Sequence, residues 1–183
     1  PIAKNLMLVT LTDLPKEVVG SFSEQIHQAT HIAVIQLTGD RFISNYNNGN
    51  VKFSKQLKRL WVFMPDPVIY ANLHLTEPQA IPQLVKKCIH KWKDLFATLK
   101  TQFKNADCKL GLFKEPPYFG ASFIDWERPG GKIHVSPYVW NVAAPNCPGY
   151  DIYWVGKKPS AIYETYIEGL QYLHRSTENE LTK

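Results

Sequence analysis

Two tripeptides carry the clearest chemistry-bearing pattern in the chain, His74-Leu75-Thr76 and His134-Val135-Ser136; both read His-x-Thr/Ser. Imidazole is the side chain whose ordinary titration falls near neutral pH, so each histidine is a candidate acid or base. His27 and His31 lie four apart, a spacing that could ligate a metal. Two histidines are only half of a metal site, and no metal or other cofactor is expected. Cys88, Cys108 and Cys147 are widely spaced and odd in number, which argues against a disulfide framework and reads as reduced thiols of a cytoplasmic protein. Asp151 and Glu164 sit among aromatic residues with nothing pairing them by spacing. Arg128 and Lys132 flank one predicted turn and Lys157 and Lys158 the next; if both turns lie at one end of a sheet, the four make a rim for an anionic ligand. The sequence contains no glycine-rich phosphate loop and no Ser-His-Asp order.

The elements that must position these residues follow from periodicity. Leu6 to Leu11 is a short apolar run. Asp13 to Thr30 reads as a helix capped by Asp13, with Pro15 in its first turn. His31 to Leu37 and Leu60 to Met64 read as buried strands, the first ended by Gly39-Asp40 and the second by Pro65-Asp66-Pro67. Asp40 to Lys52, with four Asn and a Gly, is a loop or an interrupted helix, and Phe53 to Leu57 a short helical turn. Pro78 to Phe103 is the clearest helix: apolar residues recur at three- and four-residue steps, and Lys86, Lys87, Lys91, Lys93, Lys100 and Lys104 occupy the other face. Lys109 to Phe113 is a further strand. Tyr118 to Trp126 and Lys132 to Val139 are two strand-like runs joined by Glu127-Arg128-Pro129-Gly130-Gly131, a turn in which proline presets φ and the glycines supply positive φ. Asp151 to Val155 is one more strand and Ser160 to Leu173 a closing helix, with a polar, frayed tail from His174. Three of the five Trp and four of the nine Tyr fall between Pro116 and Trp154, which marks either a packed core or the wall of a ligand site.

Alternating strands and helices with a hairpin late in the chain predict an α/β fold with a mixed β-sheet flanked by helices. At 183 residues, 44% apolar and 20% charged, the chain has the size and composition of one globular domain, 1–183, which a longer protein could also contain. No apolar run reaches the length of a membrane span. A formal charge of +5 permits an acidic partner, and the lysine stripe permits weak nucleic-acid binding, but neither demands one.

On these residues the chain resembles the phospholipase D-like domain family, in particular its degenerate members in bacterial regulatory and defence proteins. The resemblance rests on HIAVIQL after a helix, LKRLWVFMPDP, the long helix, CKLGLF, the FGASFID…GGKIHVSPYVW hairpin and the closing helix with YETYIEGL. It implies a phospholipase D-like sheet. Active members carry a histidine, a lysine two residues on and an aspartate five residues after that. Aligned on Asp125, this chain has Tyr118 and Gly120 in the first two places, so the resemblance implies a binding domain without the family's catalysis. The expected ligand-contacting residues are Asp125, Arg128, Lys132, His134, Tyr138, Lys157 and Lys158, and the expected partner is an anionic or nucleotide-like ligand or a protein. A competing similarity is to the two-histidine phosphoesterases. It makes His74 and His134 acid and base, and Thr76 and Ser136 the holders of phosphate oxygens, on RNA ends or cyclic oligonucleotides.

Overall fold

A computed structural model describes residues 9–11, 22–72, 80–115, 118–138 and 149–182. Within them seven strands form one mixed sheet in the order β1-β7-β6-β5-β2-β3-β4. The strands are β1 (Val9–Leu11), β2 (His31–Ile35), β3 (Arg59–Pro65), β4 (Asp107–Phe113), β5 (Phe119–Ile124), β6 (Lys132–Pro137) and β7 (Tyr150–Tyr153). β2, β3 and β4 run parallel, and every other pairing is antiparallel. The helices are α1 (Phe22–Gln28), α2 (Asp40–Asn47), α3 (Ala80–Gln102) and α4 (Ala161–Ser176). The predicted α/β class, the late hairpin and the flanking helices are all present.

Strand alternation sorts the core into two layers. Ile32, Val34, Leu60, Val62, Met64 and Leu110 point to the face covered by α1, α2 and α3. Ala33, Ile35, Trp61, Phe63, Phe123, Ile133 and Ile152 point to the face covered by α4 through Tyr163 and Leu170. A strand buried on both faces must read as a continuous apolar run, which is why HIAVIQL and LWVFM show no alternation. α3 buries Val85, Cys88, Trp92, Leu95, Phe96 and Leu99 of the predicted stripe, while Leu84, expected on the same side, is exposed. Ser160 caps α4, its hydroxyl accepting from Tyr163 N–H.

His31 opens β2, as its apolar run indicates, so it and His27 do not share a helical face. Two expectations change. Asp40 to Asn47 is a regular helix despite its asparagines, because Phe42 and Ile43 are buried against α3, and tertiary burial outweighs weak propensity. The tail is not frayed. Asn179 accepts from Leu110 N–H (3.1 Å) and donates to the Cys108 carbonyl (3.1 Å), while Glu180 N–H reaches the Leu110 carbonyl (2.8 Å). These bonds satisfy the open edge of β4, which would otherwise present unpaired backbone groups. The first part of the predicted helix from Asp13, together with Trp140, lies outside the described residues. Among the described residues no helix is long and apolar enough to cross a membrane.

Candidate functional site

The hairpin and β7 build a polar patch on one face of the sheet. Register sets Ser122 opposite His134 and His134 opposite Asp151, so three polar side chains from adjacent strands form one row. Lys132 and Ser136 flank His134 on the same face at two-residue steps. The Asp151 carboxylate is the centre: one oxygen lies 2.7 Å from His134 Nδ1, and the other accepts from Lys132 Nζ (2.8 Å) and the Tyr153 hydroxyl (3.2 Å). Lys132 also donates to Gln25 Oε1 of α1 at 3.1 Å. On the far side of the ring, His134 Nε2 lies 3.0 Å from Ser136 Oγ.

Burial is graded across this chain of contacts. The Asp151 side chain is 6% exposed and Lys132 12%, whereas His134 is 30% exposed. Burial alone would raise the Asp151 pKa; the hydrogen bonds from His134 and Lys132 and their charges outweigh it, and the pKa falls below its ordinary value. Asp151 therefore stays ionised, neutralises Lys132, and fixes the orientation of the imidazole. Gly149 completes the wall: a Cβ there would stand 2.9 Å from His134 Cε1, so only a glycine lets the backbone lie against the ring.

The second buried carboxylate, Asp125, does different work. It sits at φ 48, a left-handed conformation uncommon for a residue with a side chain. Its Oδ1 accepts from Thr30 N–H (2.9 Å), the Thr30 hydroxyl (2.9 Å) and His31 N–H (3.0 Å), and its Oδ2 accepts from Arg128. Burial pushes its pKa up, but the backbone bonds from His31 and Thr30, with the Thr30 hydroxyl and Arg128, push it further down. Both oxygens are thus committed to tying the α1–β2 junction to the end of β5.

The other predicted site residues separate. Tyr138 turns its hydroxyl onto Leu37 N–H (3.0 Å) above Gly120, at the end of β2. Lys157 and Lys158 are exposed in the turn after β7. Mutual backbone bonds of Trp154 with Gly130 and Gly131 bring that turn to the end of the sheet that carries Arg128. Lys132 does not join such a rim, because its ammonium is drawn onto the sheet face by Asp151 and Gln25. Tyr118 is 78% exposed, and Gly120 pairs with Ser136. His74 and Thr76 lie outside the described residues. Sequence reasoning passed over Asp151. Its only local signal is its place in a β-run, and its partners become visible once β6 and β7 are known to pair antiparallel with His134 opposite it. Among the described residues no group of three or more His, Cys, Asp or Glu side chains is arranged to hold a metal ion.

Fold and patch together define an α/β domain with a mixed sheet and a polar, hydrogen-bonded face. No family model and no curated protein matches the sequence. Among solved structures the chain is similar to TrmBL2, an archaeal chromatin protein described as showing a novel mode of DNA binding, at 8% identity and a TM-score of 0.45; the match covers 97% of this chain and 56% of that one. It is also similar to Nuc from Salmonella typhimurium, a phospholipase D family member, at 8% identity and a TM-score of 0.39, covering 85% of this chain and 86% of that one. The chain thus spans little more than half the length of TrmBL2. Likeness at this level fixes neither family nor activity.

Proposed function

We propose that this chain is a ligand-binding domain that presents His134 and Ser136 to an anionic, hydrogen-bonding ligand, and that it does not perform phosphoryl transfer of the phospholipase D kind. The observation that carries the reading is the Asp151 network, in which a buried carboxylate spends its bonds on orienting side chains and leaves a half-exposed imidazole and hydroxyl at the surface. Asp151, His134 and Ser136 have the connectivity of a nucleophile relay. Two features favour binding over acyl transfer. The residue after Ser136 is Pro137, which has no N–H to offer a developing oxyanion. Lys132 and Tyr153 also compete for the carboxylate that would stabilise an imidazolium. Tyr118 and Gly120 supply neither the histidine nor the lysine of an active phospholipase D-like motif, and Asp125 is occupied in holding the fold. As the degenerate family members suggest, the domain would serve as the sensing or interaction part of a regulatory or defence system.

Thermal denaturation of the full chain with millimolar AMP and with inorganic phosphate tests the binding reading. A ligand at a hundredfold excess over its Kd stabilises by about 2.7 kcal/mol. A shift in Tm with AMP that shrinks in His134→Ala is expected; no shift with either anion defeats the reading. Bis(4-nitrophenyl) phosphate should remain unhydrolysed, and trapping a phosphorylated histidine would defeat the second half of the proposal.

A further inference from the structure

We infer that the N-terminus of α2 holds the phosphate of the ligand whose other end meets His134 and Ser136, so that the ligand is a phosphate monoester; the identity of that other end rests on the binding reading above. β2 passes into α2 through Gln36-Leu37-Thr38-Gly39. Gly39 is the N-cap, with φ 65 and ψ 8, and no side chain caps the helix. The Asp40 N–H reaches only the Thr38 hydroxyl, at 3.5 Å. First-turn N–H groups of a helix have no intrahelical partner and lie at the positive end of the macrodipole, which suits an oxoanion.

An uncapped helix start is common and decides nothing alone. The second observation is Trp92. Its side chain is completely buried, its indole Nε1 has no hydrogen-bond partner among the described residues, and it is aimed at the cap. A Cβ on Gly39 would stand 2.5 Å from Nε1 and 2.8 Å from Gln36 Oε1. An indole N–H left unbonded in a core is a desolvated donor, and an acceptor arriving at the cap would satisfy it. The place in the sheet fits as well. β2 is where the chain's neighbours part, with β3 reached through α2 on one side and antiparallel β5 on the other, and ligands of open α/β sheets gather at the carboxyl end of such a strand. Asp40 in the first turn opposes an anion, but its carboxylate is paired with Lys91. Arg41, exposed in the same turn, makes no ion pair among the described residues and supplies the net positive charge.

The cap adjoins the polar patch. Leu37 N–H donates to the Tyr138 hydroxyl, which stands 3.2 Å from the Cβ position of Gly120, and Gly120 pairs with Ser136. β6 and β2 are two strand spacings apart, about 10 Å across the sheet, and Gly39 lies past the end of β2, so a ligand that meets both places must be at least that long.

Amide and indole resonances of the ¹⁵N-labelled full chain, titrated with inorganic phosphate and then with AMP, test this. Phosphate alone should shift the Gly39, Asp40 and Arg41 amides and the Trp92 indole saturably. AMP should shift these and His134, with at least tenfold tighter binding. Arg41→Glu should weaken the phosphate response at least tenfold, and Trp92→Phe, which keeps the ring but deletes the donor, about tenfold. Shifts confined to the surroundings of His134 would overturn the inference and leave the binding reading standing. A response at α2 with none at His134 to either ligand would do the reverse. No response at either place overturns both.

Discussion

Asp125 and Asp151 are two buried carboxylates on the same sheet, both held below their ordinary pKa by hydrogen bonds, and they serve opposite ends. Asp125 spends its oxygens on backbone N–H groups, a threonine hydroxyl and Arg128, and most of those bonds hold the α1–β2 junction. Asp151 bonds only side chains, and through His134 the contacts run on to Ser136 at the surface. A carboxylate that binds backbone sets the fold; one that binds titratable side chains sets their orientation and charge. Position within a family-like motif pointed to the first residue, while the pattern of partners points to the second.

The largest effect that would break this comparison is expected at Asp125. Asp125→Ala leaves the Thr30 and His31 N–H groups and the Thr30 hydroxyl without their acceptor. At about 1–3 kcal/mol for each orphaned group the expected loss is about 3–5 kcal/mol in a urea titration, with little credit for the Arg128 pair because that arginine is half-exposed. A loss below about 1 kcal/mol would show that Asp125 is not the clasp described. Asp151→Ala should cost about 2–4 kcal/mol, because it strands a largely buried lysine. Asp151→Asn should abolish the ligand response while Asp125→Asn retains it; equal retention would erase the distinction between the two carboxylates.

Acid titration sharpens the same contrast. Burial lowers the pKa values of His31 and His174, so their contribution to stability is present above the unfolded value near 6.5 and declines as pH falls below it. The two aspartates, depressed below 3.8, add stability above that value that is lost as pH falls through their folded pKa values. Two stages of acid destabilisation are expected in urea midpoints measured from pH 7 to pH 2. Asp125→Asn should flatten only the second; an unchanged second stage would count against its role.

Smaller effects lie at the edges. Asn179→Ala removes three hydrogen bonds on partly exposed groups and should cost about 1–2 kcal/mol in urea. An unchanged midpoint would return the tail to the frayed state that its polar composition suggests. On α3, Lys86, Lys87 and Lys100 are exposed, as is Lys104 just past its end, while Lys91 is held by Asp40. Weak nucleic-acid binding through this face should fall with salt at a log–log slope of about −0.9 per duplex phosphate contacted. The apolar side of the helix is buried, so no aromatic platform supports a single strand, and a salt-resistant nanomolar complex would overturn this expectation.

Local order was legible in the sequence wherever one residue type had one physical meaning. Continuous apolar runs gave the doubly covered strands, three- and four-residue spacing gave α3, Pro-Gly-Gly gave the hairpin turn, and Ser160 gave the start of α4. From these the α/β class followed. Asp40 to Asn47 could not be read, because its helix depends on burying Phe42 and Ile43 against a helix forty residues away. The tail could not be read, because its asparagine answers an edge strand seventy residues earlier. The candidate site could not be read for the same reason. His134 and Ser136 announced themselves as a pair, but Asp151 gains its meaning only from the antiparallel register of β6 and β7. Trp92 and Gly39 meet only when α3 packs across the end of β2. Periodicity and turn chemistry are local and are written in the chain; register and the packing of elements on one another are long-range, and the tertiary structure decides them.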